Sequence, residues 1–493
     1  MIRKVLVANR GEIAIRILRA CRELGLEAVA VYSEADRDAL HVRYADEAYC
    51  IGPPPARESY LCIERIIEAA QKSGAQAIHP GYGFLSESAA FARACAEAGI
   101  VFVGPRPETL ELMGDKVATR RVARRLGLPV LPGTDQALDD RELVAAADRI
   151  GYPVVLKAAA GGGGKGIRVA RSREELAAAI PLARQEARAA FGDDSLYLER
   201  QVEQARHIEV QILADSRGHV VHLGERECSI QRRHQKLIEE TPSRALTPAL
   251  RRRLCRAAIR LMKAVRYIGA GTVEFLLDSQ GRYYFIEVNP RLQVEHPVTE
   301  AVTGVDIVKE QLRIAAGREL RYRQGDIQPR GWALECRILA EDPLRDFAPS
   351  VGRITRLREP AGPGIRLDSG ICEGTTVTPY YDSLLAKLIA WGETRGVAIV
   401  RMRRALEEYQ IVGVTTNLDL HRALLDSPRF FGGQFHTRFL EEGFTPPMPD
   451  EEEYLAAALT AVLADWRRRV GSRREETVSP WKMLGRREQM VEG

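Results

Sequence analysis

The chain has 493 residues, 45% of them hydrophobic and 28% charged, proportions that suit a globular protein and exclude a disordered or collagen-like one. At roughly 150 residues per domain the length allows about three domains. Lys plus Arg number 72 and Asp plus Glu 67, and the resulting surplus of +5 is too small at this size to mark a nucleic-acid binder. The eight cysteines form no C-x-x-C pair and no metal-ligand spacing, so they read as thiols of a reducing cytosol. The first apolar run ends at Asn9-Arg10, too short for a signal peptide, and no stretch of about 18 apolar residues offers a membrane span. The expectation is a cytoplasmic protein with neither membrane nor nucleic acid as a partner.

In chain order, residues 4–8 read as a strand and Asn9-Arg10-Gly11-Glu12 as a turn. Residues 13–24 read as a helix, with Ile13, Ile17, Ala20 and Leu24 at helical spacing, and residues 27–32 as a second strand. This is a βαβ unit and implies a parallel sheet. The turn holds only Gly11 of the three glycines in G-x-G-x-x-G, so the scaffold is Rossmann-like without the dinucleotide fingerprint. Strands at 77–78 and 100–103 follow, and a boundary falls at 104–114. A second α/β region runs to about 330. It has strands at 153–157 and 167–170 joined by a glycine loop, helices at 173–190 and 248–267, and a hairpin of 272–277 with 283–288 around Asp278-Ser279-Gln280-Gly281. Residues 332–444 read as short strands with a helix near 397–409. A helix at 451–469 carries Leu455, Leu459, Val462 and Trp466 at three- and four-residue spacing, and a charged tail with Ser479-Pro480-Trp481 follows. That helix reads equally as one packed on the body or as a docking segment.

Four segments carry chemistry. The run Lys157-Ala158-Ala159-Ala160-Gly161-Gly162-Gly163-Gly164-Lys165-Gly166 is not a Walker A loop, because position 159 is Ala and 166 is Gly. Its bare backbone N–H groups can still fold over phosphate oxygens as a mobile cover. In the hairpin, alternation puts Glu287 and Asn289 on one face, with Glu274 about one rung away on the adjoining strand. Carboxylates so close repel unless a proton or cation lies between them, and two carboxylates with an amide oxygen suit Mg²⁺ beside nucleotide phosphates. Next, Arg291, Gln293 and Glu295 alternate within Asn289-Pro290-Arg291-Leu292-Gln293-Val294-Glu295-His296-Pro297. Arg offers a fork for a carboxylate or carbonate anion, and a neighbouring Glu can take a proton. Last, the string from Glu225 to Lys236 reads in isolation as a solvated face, and His207 as a structural histidine.

Taken together these segments resemble biotin carboxylase, an ATP-grasp ligase, over roughly residues 1–445. The resemblance rests on Ala8-Asn9-Arg10-Gly11-Glu12-Ile13-Ala14, on His79-Pro80-Gly81-Tyr82-Gly83-Phe84-Leu85-Ser86-Glu87, and on Met113-Gly114-Asp115-Lys116. It also rests on the glycine loop, Gln231-Arg232-Arg233-His234-Gln235-Lys236, Arg291 through His296, and Pro379-Tyr380-Tyr381-Asp382-Ser383. It implies an α/β and α+β fold in four parts: a Rossmann-like N-terminal domain at 1–114, an ATP-grasp domain at 115–330 with a lid at about 130–203, a mixed C-terminal domain at 331–445, and a tail at 446–493.

The resemblance also implies roles. Lys116 and Lys157 would hold nucleotide phosphates, covered by Gly163 and Gly164. Glu199, Arg200, Gln201 and Val202 would sit at the adenine, and His207, Gln231 and His234 would line the nucleotide pocket. Glu274, Glu287 and Asn289 would ligate Mg²⁺, or Mn²⁺ in its place. Lys236, Arg291, Gln293 and Val294 would bind bicarbonate, Glu295 would be the base, and Arg337 and Tyr82 would meet biotin. Deprotonated bicarbonate would attack the γ-phosphate to give carboxyphosphate and ADP. Carboxyphosphate would release CO₂ and phosphate, phosphate would take the ureido proton of biotin, and Arg337 would stabilise the enolate. The sequence departs from some members at Ala159 and Ala160 (Ser and Gly), Arg200 (Lys) and Pro363 (an aromatic residue), whereas Arg19 and Glu23 match the interface of dimeric members. No Ala/Val-Met-Lys-Met biotinylation motif appears, and the nearest text, Leu261-Met262-Lys263-Ala264, fails it. Biotin is therefore expected on a separate carrier protein, with carboxyltransferase subunits as further partners, a homodimer as the assembly, and acetyl-CoA, pyruvate or another small acid as the acceptor. Two other readings are a bicarbonate-activating ligase of carbamoyl-phosphate synthetase type and a non-catalytic nucleotide-sensing subunit.

Overall fold

Alternating apolar strands and amphipathic helices build the first layer. In the computed structural model, which describes residues 2–159, 167–442, 444 and 451–471, Lys4–Val7 (β1), Glu27–Tyr32 (β2), Glu47–Cys50 (β3), Ala77–His79 (β4) and Val101–Phe102 (β5) form a parallel sheet in the order β3-β2-β1-β4-β5. The expected helix runs Gly11–Glu23 and buries Ile13, Ile17 and Ala20. The strand order reverses between β1 and β4, and open α/β sheets bind ligands at such a switch point. Here the loop after β1 is tied to the loop after β4, because Asn9 Nδ2 donates to the carbonyls of Pro80 and Tyr82, each at 2.7 Å. A Cβ at Gly81, whose φ is +66°, would meet Asn9 Nδ2 at 2.9 Å, so this turn is made on glycine.

The strands flanking the glycine run are Val154–Ala158 (β6) and Arg168–Ala170 (β7), which with Leu196–Arg200 (β8) form a three-stranded antiparallel sheet. Helices Asp140–Ile150 and Arg173–Phe191 belong to the same apolar cluster through Leu143, Leu176, Ile180 and Ala183. Residues 160–166, including Gly163 and Gly164, lie outside the described residues.

An eight-stranded antiparallel sheet, with three two-stranded ribbons between residues 341 and 412, makes the remaining β-structure among the described residues. Its strands are Arg206–Ala214 (β9), Val220–Arg232 (β10), Gln235–Thr241 (β11), Gly269–Leu277 (β12), Tyr283–Asn289 (β13), Trp332–Leu339 (β14), Leu384–Gly392 and Ile365–Ser369. The segment read as a solvated charge run, from Glu225 to Lys236, is instead strand, and Glu225, Arg226, Glu227 and Gln231 are buried in it. Its charges are neutralised by partners distant in sequence, on neighbouring strands (Arg206, Glu209), on helix Pro248–Ala264 (Arg251) and at Asp346, which a reading of one segment does not reveal. One face of β9, β12 and β13 packs Ile208, Val210, Val273, Phe275 and Phe285 on Leu254, Ala258 and Leu261 of helix Pro248–Ala264. Strand alternation turns His207, Glu209, Gln211 and Glu274 to the other face.

The hairpin differs from expectation in one respect. Counting back from the turn, Leu277 pairs with Tyr283 and Phe275 with Phe285, but a bulge then sets Glu274 directly opposite Glu287. The extra residue, Ile286, removes the one-rung offset that a regular ladder would leave.

Residues up to Thr445 form one compact unit and those from Pro446 a second. In the second, helix Glu451–Gly471 carries Leu455, Leu459, Val462 and Trp466 with more than half of each side chain exposed. Ser479, Pro480 and Trp481 lie outside the described residues.

Candidate active site

Above the polar face of the eight-stranded sheet is a cavity of about 860 Å³. Its lining includes the loops after β1 and β4 through Asn9 to Glu12 and Tyr82 to Phe84. It includes Lys116, Lys157, Glu199, Arg200, Gln201 and Val202 at one end, with His207, Gln231, His234 and Lys236 beside them. Glu274, Glu287, Asn289, Arg291, Gln293, Val294, Glu295 and Arg337 complete the set. All the candidate site residues named from the sequence therefore border one space, except Gly163 and Gly164, which lie outside the described residues. The apolar wall of Leu131, Leu276, Ile286 and Leu339 was not foreseen.

The cavity's cations are already held by carboxylates. Lys116 Nζ lies 2.9 Å from Glu287, and Lys157 Nζ lies 2.5 Å from Glu199. Glu199 is clamped from its other side by Arg120 at 2.7 Å. Lys236 Nζ sits among Glu209 (2.6 Å), Glu274 (3.1 Å) and Glu295 (2.6 Å). Arg337 bridges Glu239 (2.6 Å) and Glu295 (2.9 Å), and Arg291 reaches Glu87 (2.8 Å) and the Asn289 side-chain oxygen (3.2 Å). Val294 faces the cavity while its carbonyl accepts from Lys387 at 3.0 Å.

Burial and pairing oppose each other in these groups. Burial pushes the Glu295 carboxyl up, but Lys236 and Arg337 overcome it and hold the group well below the ordinary range. Burial acts the same way on Glu274, and Lys236 and His207 hold it well below as well. Burial disfavours the Lys236 ammonium, yet Glu209, Glu274 and Glu295 raise its pKa well above normal. Burial, with Lys157 nearby, lowers His234, which favours a neutral imidazole.

Glu274 is the hub of the acidic group. Its Oε1 accepts from Asn289 Nδ2 (2.7 Å) and Gln293 Nε2 (2.9 Å), and His207 Nε2 lies 3.0 Å from its Oε2, at ion-pair distance without directed hydrogen-bond geometry. The cross-strand carboxylates of Glu274 and Glu287 with the Asn289 amide are hard oxygen donors with no sulfur among them, and both carboxylates border the cavity. That donor set fits Mg²⁺ or Mn²⁺. A second cluster of Glu209, Cys228 and Glu295 is bound up with Lys236 and Arg226 and suits a hard dication less well.

Sequence reasoning missed what holds these groups. Glu209 pairs with Lys236 and with Arg226 (2.5 Å), and Arg226, wholly buried, also donates to Gln293 at 2.7 Å. Arg120, Glu87, Glu239 and Lys387 have comparable roles. The signal that could have found them was alternation: His207, Glu209 and Gln211 interleave with Ile208, Val210 and Ile212, which marks a strand with one polar buried face.

Three family descriptions match in series: "Biotin carboxylase, N-terminal domain" over residues 1–110, "Carbamoyl-phosphate synthase L chain, ATP binding domain" over 115–323 and "Biotin carboxylase C-terminal domain" over 335–442. A pyruvate carboxylase subunit of Methanothermobacter thermautotrophicus is 54% identical over 90% of this chain and 90% of its own length. Biotin carboxylase 1 of Bacillus subtilis is 53% identical over 90% of this chain and 98% of its own. Among solved structures, the biotin carboxylase domain dimer of Hydrogenobacter thermophilus 2-oxoglutarate carboxylase, in complex with MgADP, ADP and bicarbonate, is 53% identical with a TM-score of 0.88, covering 90% of this chain and 98% of that one. Biotin carboxylase of Campylobacter jejuni in a β-γ-ATP complex is 48% identical with a TM-score of 0.88, over 90% and 99%. With the flanking matches of biotin carboxylase type and the relatives aligned over nearly their whole length, the chain belongs to the biotin carboxylase family.

Proposed function

We propose that this chain carboxylates biotin on a separate carrier protein, using ATP and bicarbonate by way of carboxyphosphate. The observation that carries the reading is one cavity holding an opposed carboxylate pair, Glu274 and Glu287, next to the Lys236–Glu295–Arg337 run. Lys116 and Lys157 take nucleotide phosphates, Gly163 and Gly164 cover them, and Glu199, Arg200, Gln201 and Val202 lie at the adenine end. His207, Gln231 and His234 line the nucleotide pocket. Glu274, Glu287 and Asn289 hold Mg²⁺ or Mn²⁺, which when bound neutralises charge on the transferring phosphoryl group.

Lys236, Arg291, Gln293 and Val294 seat bicarbonate, Glu295 accepts its proton, and Arg337 with Tyr82 meets biotin. Glu295 with both cations attached is a weak base. A bicarbonate ion that draws Lys236 to itself takes positive charge away from Glu295, and the proton affinity of Glu295 rises when it is needed. In the same way triphosphate exchanges for Glu287 and Glu199 as the counter-charge of Lys116 and Lys157.

The domain reading is 1–114, 115–330 with a lid at about 130–203, 331–445, and a tail at 446–493. The partners in this reading are a biotin carboxyl carrier protein, carboxyltransferase subunits, and a second copy of the chain. Arg19 and Glu23, exposed on helix Gly11–Glu23, support the dimer. Eight free cysteines support a cytoplasmic setting, and no described helix is long and apolar enough to cross a membrane. The test is bicarbonate-dependent ADP release with and without free biotin. Biotin is expected to stimulate release by the wild type, and Glu295→Ala to lose it by about 10² or more. Release unaffected by biotin but raised by an amine donor would favour a carbamoyl-phosphate synthetase-like ligase, and coupled turnover retained in Glu295→Ala would overturn the base assignment.

A further inference from the structure

Apart from the rung Glu209–Glu274, where Arg226 and Lys236 serve the two acids, the eight-stranded sheet contains three rungs on which glutamate faces glutamate among the described residues. Glu274 opposes Glu287, Glu227 opposes Glu240, and Glu239 opposes Glu335. Side chains directly opposite on neighbouring strands stand about 5 Å apart at Cβ, so each rung must cancel charge. On the first, Lys236 and Lys116 serve the two carboxylates separately. On the second, Arg206 takes Glu227 at 2.5 Å and Arg395 takes Glu240 at 2.6 Å. The third rung has one arginine for two acids. Arg337 binds Glu239, while both oxygens of Glu335, fully buried, have no hydrogen-bond partner among the described residues.

We propose that Glu335 is a protonated acid opposite an ionised Glu239, so that the pair carries a single negative charge and Glu239 acts as the positioning residue that holds Arg337 toward biotin. The inference rests on the reading of Arg337 as the biotin-facing cation. Its logic is geometric. Arg337 reaches Glu295 with the same guanidinium that Glu239 holds. When Glu295 takes a proton from bicarbonate its grip on Arg337 weakens, and Glu239 remains to keep the guanidinium in place. Were Glu335 also ionised, Arg337 would face two fixed anions and offer less of its charge to a developing enolate.

The groups that act on the pair are Lys236 on β11, Arg337 and Cys336 on β14, Lys387 on Leu384–Gly392, Cys228 on β10 and Glu295 beside helix His296–Thr303. Burial raises both acids, Glu239 to about 7 despite Arg337, and Glu335 further despite Lys387.

The test is ADP release by the full chain against free biotin at saturating bicarbonate, across pH. Glu239→Gln is expected to raise KM for biotin by about tenfold or more and to lower the ratio of biotin-stimulated to biotin-independent release. Glu239→Asp, which keeps the charge, recovers most of that loss. Glu335→Gln, neutral like the acid it replaces, keeps KM within about threefold at neutral pH and loses the alkaline rise in KM that ionisation of the pair imposes on the wild type. Glu335→Gln damaging biotin use as much as Glu239→Gln, or keeping the wild-type alkaline limb, overturns the proposal. If Glu239→Gln does not fold, the pH profile of Glu335→Gln decides alone. A wild-type chain that biotin does not stimulate overturns the functional reading, and this inference with it, before any variant is made.

Discussion

Arg226 shows how a single buried charge organises the cavity floor. It donates to Glu209 (2.5 Å), Gln211 (2.7 Å), Thr299 (3.0 Å), Thr272 (3.2 Å) and Gln293 (2.7 Å), which binds β9, β12, helix His296–Thr303 and the loop carrying Glu295 into one frame. Removing one member of a buried ion pair leaves the other desolvated, at a cost of roughly 3–5 kcal/mol. Arg226→Met is therefore expected to lower stability by about that amount in urea unfolding. Arg226→Lys should recover little of it, because one ammonium cannot reproduce the planar fork. A variant as stable as the wild type would show that this frame is not what sets the floor.

At the scale of an element, the β12–β13 ribbon is the informative one. The bulge at Ile286 places Glu287 opposite Glu274 and adds Ile286 to the apolar wall. Glu287→Gln halves the formal charge of the donor pair. It should raise the Mg²⁺ needed for half-maximal ADP release by about tenfold or more in a metal titration. An unchanged requirement would mean that the dication is held elsewhere. This ribbon also measures what a sequence can disclose. The acids, the turn and the apolar partners could be read locally, because alternation and turn residues are short-range signals. The bulge could not, since it is a shift in the pairing of two strands that the residue pattern of neither one contains. The same division holds for the site. Lys116, Lys236, Arg291 and Glu295 stand in short polar motifs, whereas Glu209, Arg226, Glu239 and Lys387 lie in strands where a charge reads as exposed. They are buried with partners distant in sequence, as Glu209 is with Arg226 and Lys236 and Glu239 with Arg337.

Across the whole body, a buried layer of charge joins the first sheet to the last strands. Arg16 binds Glu300 (2.9 Å), Arg366 binds Glu300 (2.7 Å) and Asp368 (2.7 Å), and Lys387 lies 3.9 Å from Asp368 and 3.2 Å from Glu12. Two kinds of pH dependence follow. Burial raises Glu300 and Asp368, but Arg16 and Arg366 on the one and Arg366 and Lys387 on the other depress both below the ordinary range. Stability from these two is present above the unfolded carboxylate value of about 4 and is lost as pH falls through the folded values. Glu12 behaves in the opposite sense, because burial outweighs Lys387 and lifts it to about 7. The folded chain keeps a proton that the unfolded chain releases, so stability falls as pH rises from about 4.5 to about 7 and then levels. Melting of the ligand-free protein should therefore decline over that window, and Glu12→Gln, which cannot ionise, should decline less. Parallel curves for the two proteins would remove Glu12 from the explanation.

The order of strands in the large sheet has a consequence for biosynthesis. Glu239 leaves the ribosome well before Arg337, and the backbone of Val294 well before Lys387, its donor from Leu384–Gly392. A nascent polypeptide that stops short of Arg337 carries Glu239 without the cation that lets it stay out of water. The pocket is thus completed late in translation, and prematurely terminated chains expose an acidic, unclosed sheet edge to quality control.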